Sequence, residues 1–275
     1  MPEGPEIHRA ADRIRNALKG QTIQRVEFDY RTISGSEFWF EGEVIQDVEA
    51  RGKALLIYGP HRVLYAHSQL YGRWMVNKKN RTLPKSTRSL RALFETEHHV
   101  VRLFSATDVY LLNHDEVETQ PYIAKLGPDV VLTSTTIEEI KSHITSDKFQ
   151  RRKLSGLLLD QGFLAGIGNY LRSEILFCST LHPLRTISTC SDEEIHNLSL
   201  TVLDIVSRAY QHKGITVPID DYRSRRKQGL RHGASRHYVF TRSGQPCYEC
   251  GTIIERHNYA SRRIDICPKC QRIES

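Results

Sequence analysis

A proline follows the initiator methionine, and two glutamates lie within the next turn, in Met1-Pro2-Glu3-Gly4-Pro5-Glu6. A small residue at position 2 normally permits removal of Met1, which leaves the Pro2 nitrogen as a secondary α-amine at the chain end. Such amines titrate near about 8, well below lysine, so a useful fraction is unprotonated at neutral pH. A helix opening just behind the amine lowers this further, because the positive end of the helix dipole disfavours the ammonium. An amine of this kind can attack an aldehyde-like carbon and form an iminium, with Glu3 and Glu6 close enough to move protons. In an arbitrary chain the bland reading, a plain terminus with helix-start charges, is the commoner one.

Four of the six cysteines follow the pattern Cys247-x2-Cys250, sixteen residues, Cys267-x2-Cys270. Two thiolate pairs joined by a hairpin-length spacer can converge tetrahedrally on one metal, with zinc the first choice. Four sulfur ligands leave no open position, so one structural zinc ion is expected. Disulfides fit poorly with a chain whose first twenty residues are too charged for a secretory signal. Cys178 sits in an apolar run and reads as buried core. A further candidate is Gly166-Ile167-Gly168-Asn169, between a helical segment (151–160) and a helix opening at Tyr170. No strand precedes it and no acid follows at the dinucleotide-binding distance. A tight helical hairpin, whose backbone N–H groups and Asn169 amide grip a phosphate, suits it better.

The elements that must hold these residues change in texture along the chain. Its 275 residues carry a net charge of +7, of which +6 falls between Lys213 and Arg242. A polyanion is the natural partner of so local an excess, although a solvated basic loop has the same composition. No apolar run approaches the ~18 residues of a membrane-spanning helix. Ile7, Ala10, Ala11, Ile14 and Leu18 predict a first helix, with Pro5 in its first turn and Gly20 closing it. Between 24 and 112 the runs are short and β-like, for example 43–49, 54–58, 63–67 and 100–104. Beyond 126 helical periodicity takes over at 136–144, 147–160 and 170–178, and Ser191-x-x-Glu194 opens a long helix to about His212. The predicted architecture is α+β: an N-terminal β-sandwich with flanking helices over 1–131, then a mainly helical part with a metal-binding β-hairpin over 132–275.

The opening Met-Pro-Glu-Gly-Pro-Glu-Ile, the Arg51-Gly52-Lys53-Ala54 segment, the stretch Leu157–Asn169 and the terminal cysteine hairpin occur in one chain, in that order. This set resembles the formamidopyrimidine-DNA glycosylase/endonuclease VIII family over essentially the whole length. Tyr65–Gly72 and Asn169-Tyr170-Leu171-Arg172 are most similar to the bacterial endonuclease VIII branch. The resemblance implies a helix–two-turn–helix module (132–222), a zinc hairpin (236–271) and double-stranded DNA with oxidised bases or abasic sites, bound between the halves. It further implies a monomer in the cytoplasm, associated with the nucleoid.

The implied activity is that of a bifunctional DNA glycosylase and abasic-site lyase. It excises oxidised pyrimidines through a Schiff base on Pro2 and cuts the strand by β,δ-elimination. Glu3 is then the proton-handling carboxyl, Lys53 contacts the sugar or a flanking phosphate, and Arg262 clamps a phosphate near the lesion, with Arg263 one register away. Gln69, Leu70 and Tyr71 resemble the loop that fills the gap left by a flipped base. Lys125 stands where the branch often has a DNA-contacting arginine, and Asn169 grips a phosphate. The Gly214–Arg236 segment departs from the pattern in length and charge. The alternatives are a purine-directed glycosylase of the same family, acting on 8-oxoguanine and formamidopyrimidines, or a non-catalytic zinc-stabilised damage sensor.

Overall fold

The computed structural model describes residues 2–81 and 87–273. The chain divides into two compact units, Pro2 with Glu6–Lys125 and Glu3–Pro5 with the chain from Leu126 onward. Met1 lies outside the described residues.

In the first unit, Ile7, Ala11, Ile14 and Leu18 line one face of α1 (Gly4–Leu18) and are all buried. Among the described residues eight strands follow: β1 (Arg25–Phe28), β2 (Asp47–Arg51), β3 (Ala54–Tyr58), β4 (Val63–His67), β5 (Arg73–Lys78), β6 (Leu90–Glu95), β7 (His99–Phe104) and β8 (Asp108–Leu112). They form two antiparallel sheets, in the orders β1-β6-β7-β5 and β2-β3-β4-β8. The apolar run of β3 is continuous because both of its faces are covered. With side chains alternating along a strand, Leu55 and Ile57 enter the core shared with α1 and the other sheet, while Ala54 and Leu56 enter a second cluster with Val117 and Ile123. The β4 side chains divide in the same way, Leu64 and Ala66 to one cluster and Val63 and Tyr65 to the other.

The second unit contains α2 (Ile137–Ile144), α3 (Leu154–Leu157), α4 (Asn169–Cys178), α5 (Asp192–Gln211), α6 (Ile219–Lys227), α7 (His232–Ser235) and a hairpin of β9 (Glu255–Tyr259) and β10 (Arg262–Ile266). Ser191 and Glu194 make the expected reciprocal cap, with the Glu194 N–H donating to Ser191 Oγ at 3.2 Å and the Ser191 N–H to Glu194 Oε2 at 2.8 Å. Three expectations need correction. The helix expected over 147–160 is broken into a 3-10 turn (Asp147–Phe149) and α3, because Lys153 is extended and the Leu154 and Ser155 N–H groups donate to the Arg185 and Pro183 carbonyls instead. Cys178 is only half-buried. The basic stretch expected as a loop folds into α6 and α7 and is pinned by its own arginines, with the Arg225 and Arg242 guanidiniums 3.7 and 3.3 Å from the Tyr248 ring centre.

A buried polar cluster ties α4 to the chain that leads into the hairpin. The Glu174 carboxylate, fully buried, accepts the N–H groups of Tyr238, Val239 and Phe240 at 2.7–2.9 Å and the Thr216 hydroxyl at 2.6 Å. His237 packs beside it, its Nδ1 3.0 Å from Thr216 Oγ1. Burial holds the His237 pKa well below the usual histidine value, so the ring is neutral when folded, whereas in the unfolded chain it titrates near about 6.5. The unfolded state therefore takes up more protons below that pH, and the stability contributed by neutral His237 is lost as pH falls. Thermal midpoints measured from pH 7 to pH 5 are expected to decline, and His237→Asn should flatten the decline.

Candidate active site

The Glu3 carboxylate is the best-defined feature of the second unit. It is only 2% exposed and faces the N-terminus of α4. Oε2 accepts the Gly168 N–H at 2.8 Å and the Leu171 N–H at 3.2 Å, and Oε1 accepts the Tyr170 N–H at 2.8 Å. Three donated N–H groups and the positive helix end favour the ionised form. The backbone amides expected to grip an external phosphate are therefore committed to an internal anion. Glycine is required for the approach, since a Cβ on Gly168 would lie 2.4 Å from Glu3 Cδ, and one on Gly4 would lie 2.7 Å from Gly166 Cα. The Gly4 N–H donates to the Gly166 carbonyl at 2.8 Å. The Gly166-Ile167-Gly168 segment thus serves as the seat of the chain start, one residue away from the half-buried Pro2.

Asn169, the first residue of α4, turns Oδ1 to Arg172 Nη2 at 2.8 Å. Its Nδ2 amino group, on the other side of the planar amide, is the end that can meet an anion. Arg262 opens β10 and is exposed, whereas the neighbouring Arg263 guanidinium lies 5.0 Å from the Phe240 ring centre. Both arginines are exposed at the start of β10. Below it, the sulfur atoms of Cys247, Cys250, Cys267 and Cys270 all lie within 4.8 Å of one another, with no disulfide among them. The Cys250–Cys267 and Cys247–Cys270 pairs are 3.4 and 3.9 Å apart. A tetrahedral zinc with ~2.3 Å bonds to sulfur places its ligands about 3.8 Å apart, so these four residues can hold one metal ion.

The remaining candidates lie in the first unit. Lys53 is nearly buried, and its N–H donates to the Tyr122 hydroxyl at 2.9 Å. Next to it His67 is kept neutral, its pKa depressed by burial and, in smaller part, by the Lys53 cation. The neutral ring accepts the Gln69 N–H on Nδ1 at 3.2 Å. Gln69 has a left-handed backbone (φ 47°), and its Nε2 donates to Asp108 at 2.9 Å. This turn is closed by a 2.7 Å bond from the Gly72 N–H to the Ser68 carbonyl, and Arg88 donates to the Tyr71 carbonyl. At its tip Leu70 and Tyr71 are 54% and 68% exposed, an apolar pair held in water by a fixed backbone. Lys125 ends the unit, exposed, on a single 3-10 turn.

Sequence reasoning assigned no role to four residues that shape these groups: Arg172, Glu174, Asp265 and His67. Asp265, fully buried, accepts the Thr241 N–H at 2.7 Å and pairs with Arg256 at 2.8 Å. The only signal available was ionic side chains inside apolar segments, where a charge is costly unless it is paired.

Two family models match the chain, the formamidopyrimidine-DNA glycosylase N-terminal domain over 1–107 and its H2TH domain over 126–221. Among curated proteins, "Endonuclease 8" of Pectobacterium atrosepticum is 41% identical over 98% of this chain and 100% of that protein. The "Endonuclease 8" of Salmonella arizonae is 39% identical over 99% of this chain and all of its own length. Among solved structures, MutM in complex with DNA containing carbocyclic 8-oxo-G superposes with a TM-score of 0.80 at 21% identity, covering 99% of this chain and 100% of that one. The Lactococcus lactis Fpg bound to abasic-site DNA gives 0.79 at 19% identity, over 98% and 100%. Among the described residues, no helix is long and apolar enough to cross a membrane.

Proposed function

We propose that this chain, which belongs to the formamidopyrimidine-DNA glycosylase family and is a DNA glycosylase with abasic-site lyase activity, excises oxidised pyrimidines from duplex DNA and works through its N-terminal proline. The observation that carries the mechanism is the Glu3 carboxylate seated on the N–H groups at the head of α4, directly beside Pro2 in the chain. In this reading the Pro2 nitrogen bonds to C1′ of the damaged nucleotide as the glycosidic bond breaks and the base departs with a proton. Opening of the sugar ring gives an iminium, which the Glu3 carboxylate stabilises. Loss of a C2′ proton then expels the 3′ phosphate, a second elimination expels the 5′ phosphate, and water frees Pro2. Lys53 and Arg262 hold the flanking phosphates and assist the two eliminations.

Gln69, Leu70 and Tyr71 fill the gap left by the flipped nucleotide, and Lys125 and Asn169 bind the backbone. The exposed Leu70-Tyr71 tip supports the first assignment, because an apolar wedge into a base stack must be displayed before DNA arrives. We assign catalysis to 1–131 and the larger share of DNA binding to 132–275, acting as a monomer in the cytoplasm. The metal is zinc: its chemistry is to fix the hairpin that carries Arg262, and elemental analysis should find one zinc per chain. Excision of thymine glycol is expected to exceed that of 8-oxoguanine opposite cytosine under single-turnover conditions. The reverse order would make the enzyme purine-directed, and binding of damaged duplex without excision of either base would make it a sensor.

A further inference from the structure

We infer that Arg172 is a positioning residue that couples the Asn169 amide to the tip of the hairpin bearing Arg262, so that the two phosphate-binding groups act as one clamp. The inference rests on the glycosylase reading for the roles of Asn169 and Arg262, while the coupling itself stands on the geometry of the second unit. Arg172 is completely buried, and it is the largest such side chain among the described residues. Burial pulls its pKa down to about 10, with the Glu3 charge opposing, so it remains a cation at neutral pH. Nη2 donates to Asn169 Oδ1 at 2.8 Å and to the carbonyls of Arg263 and Arg262 at 2.9 and 3.4 Å. Nη1 donates to the carbonyls of Tyr259 and Ser155 at 3.2 and 2.9 Å. One guanidinium thus holds the first residue of α4 and both sides of the β9–β10 turn.

A second observation explains why that turn needs holding. The two residues between Tyr259 and Arg262 are Ala260 and Ser261, with φ of 52° and 58°. Two-residue turns with both φ values positive suit the right-handed twist of a hairpin, but they are favoured by Asn-Gly and similar pairs. Alanine and serine are strained there. The Arg172 bonds to the carbonyls on either side supply the constraint that the turn sequence lacks, and the same donors fix which end of the Asn169 amide faces outward.

The test is the affinity of the full-length metal-loaded protein for a duplex containing a tetrahydrofuran abasic analogue. Arg172→Met should weaken binding about tenfold or more. In a double-mutant cycle, Arg262→Ala should cost much less in the Arg172→Met background than in the wild type. Joint replacement Ala260→Asn and Ser261→Gly, which favours the same turn without the arginine, should restore part of the affinity of Arg172→Met. A merely structural arginine would lower the thermal midpoint yet leave the cycle additive and the turn replacement without effect, and that result overturns the inference. Arg172→Lys keeps a buried cation but has one nitrogen for two groups of acceptors. It carries the same cycle should the methionine variant fold poorly, with a smaller loss of the same kind expected. A wild-type protein that forms no borohydride adduct with abasic DNA defeats the glycosylase reading. A wild-type adduct with an additive cycle defeats only the coupling.

Discussion

Locking the Pro2 nitrogen into an amide bond, by retaining Met1, should reduce strand incision at an oxidised pyrimidine by about four orders of magnitude or more, as removal of a covalent nucleophile commonly does. The chemistry needs a lone pair on that nitrogen, and an amide has none to give. The rest of the molecule has little reason to notice the change. Glu3, the next residue, draws its bonds from the amides of Gly168, Tyr170 and Leu171, and the Gly4 N–H stays on Gly166. Affinity for the tetrahydrofuran duplex should therefore stay within a few-fold of the processed protein, so that loss of turnover with binding retained separates nucleophile from scaffold. Single-turnover incision assays alongside anisotropy titrations make the comparison, and near-normal incision by the blocked chain would remove Pro2 from the mechanism.

Glu3→Gln should be the most damaging single side-chain change near the same site, with turnover falling about 10²- to 10⁴-fold as a positioned carboxyl is lost. The replacement is nearly isosteric, so the effect comes from charge and hydrogen bonding. Oε2 takes two N–H groups and Oε1 one, so in either orientation the new amino group confronts at least one donor. In the proposed mechanism the iminium also loses the negative charge of the neighbouring residue. Stability should drop by about 1–3 kcal/mol from the unsatisfied buried donor, read in denaturant melts, while excision is read on a thymine glycol duplex. Glu6 is a useful contrast because it pairs with Arg9 at 3.0 Å on the half-exposed side of α1. Glu6→Gln should change turnover far less, and equal losses at the two positions would argue against a specific role for Glu3.

The sequence revealed what depends on local pattern. The apolar spacing of α1, the Ser191–Glu194 cap and the paired Cys-x2-Cys motifs each reflect partners only a few residues away or a repeat along one face, and each has its expected counterpart in the structure. Features that depend on distant partners were out of reach. The acceptors of Arg172 include carbonyls some ninety residues along the chain, so nothing in Asn169–Cys178 says that this arginine is buried. The helix expected over 147–160 failed for the same reason, since the Leu154 and Ser155 amides are satisfied by the Arg185 and Pro183 carbonyls and not by the preceding turn. Helix α6 was missed because none of its residues is buried, so there is no apolar face for periodicity to detect; the Tyr248 ring that its Arg225 stacks on lies well beyond the end of the helix. The glycine pair at 166 and 168 was visible, but its ligand was misjudged: the anion at the head of α4 comes from the chain's own third residue.

The most direct measurement is borohydride reduction of the processed protein with a duplex bearing a natural abasic site, followed by peptide mapping of the covalent adduct. The sugar remnant should be found on the nitrogen of Pro2, with the adduct absent from a chain that retains Met1. A remnant carried instead by Lys53 or another lysine, or no adduct from a folded, DNA-binding protein, would contradict the assignment of the nucleophile.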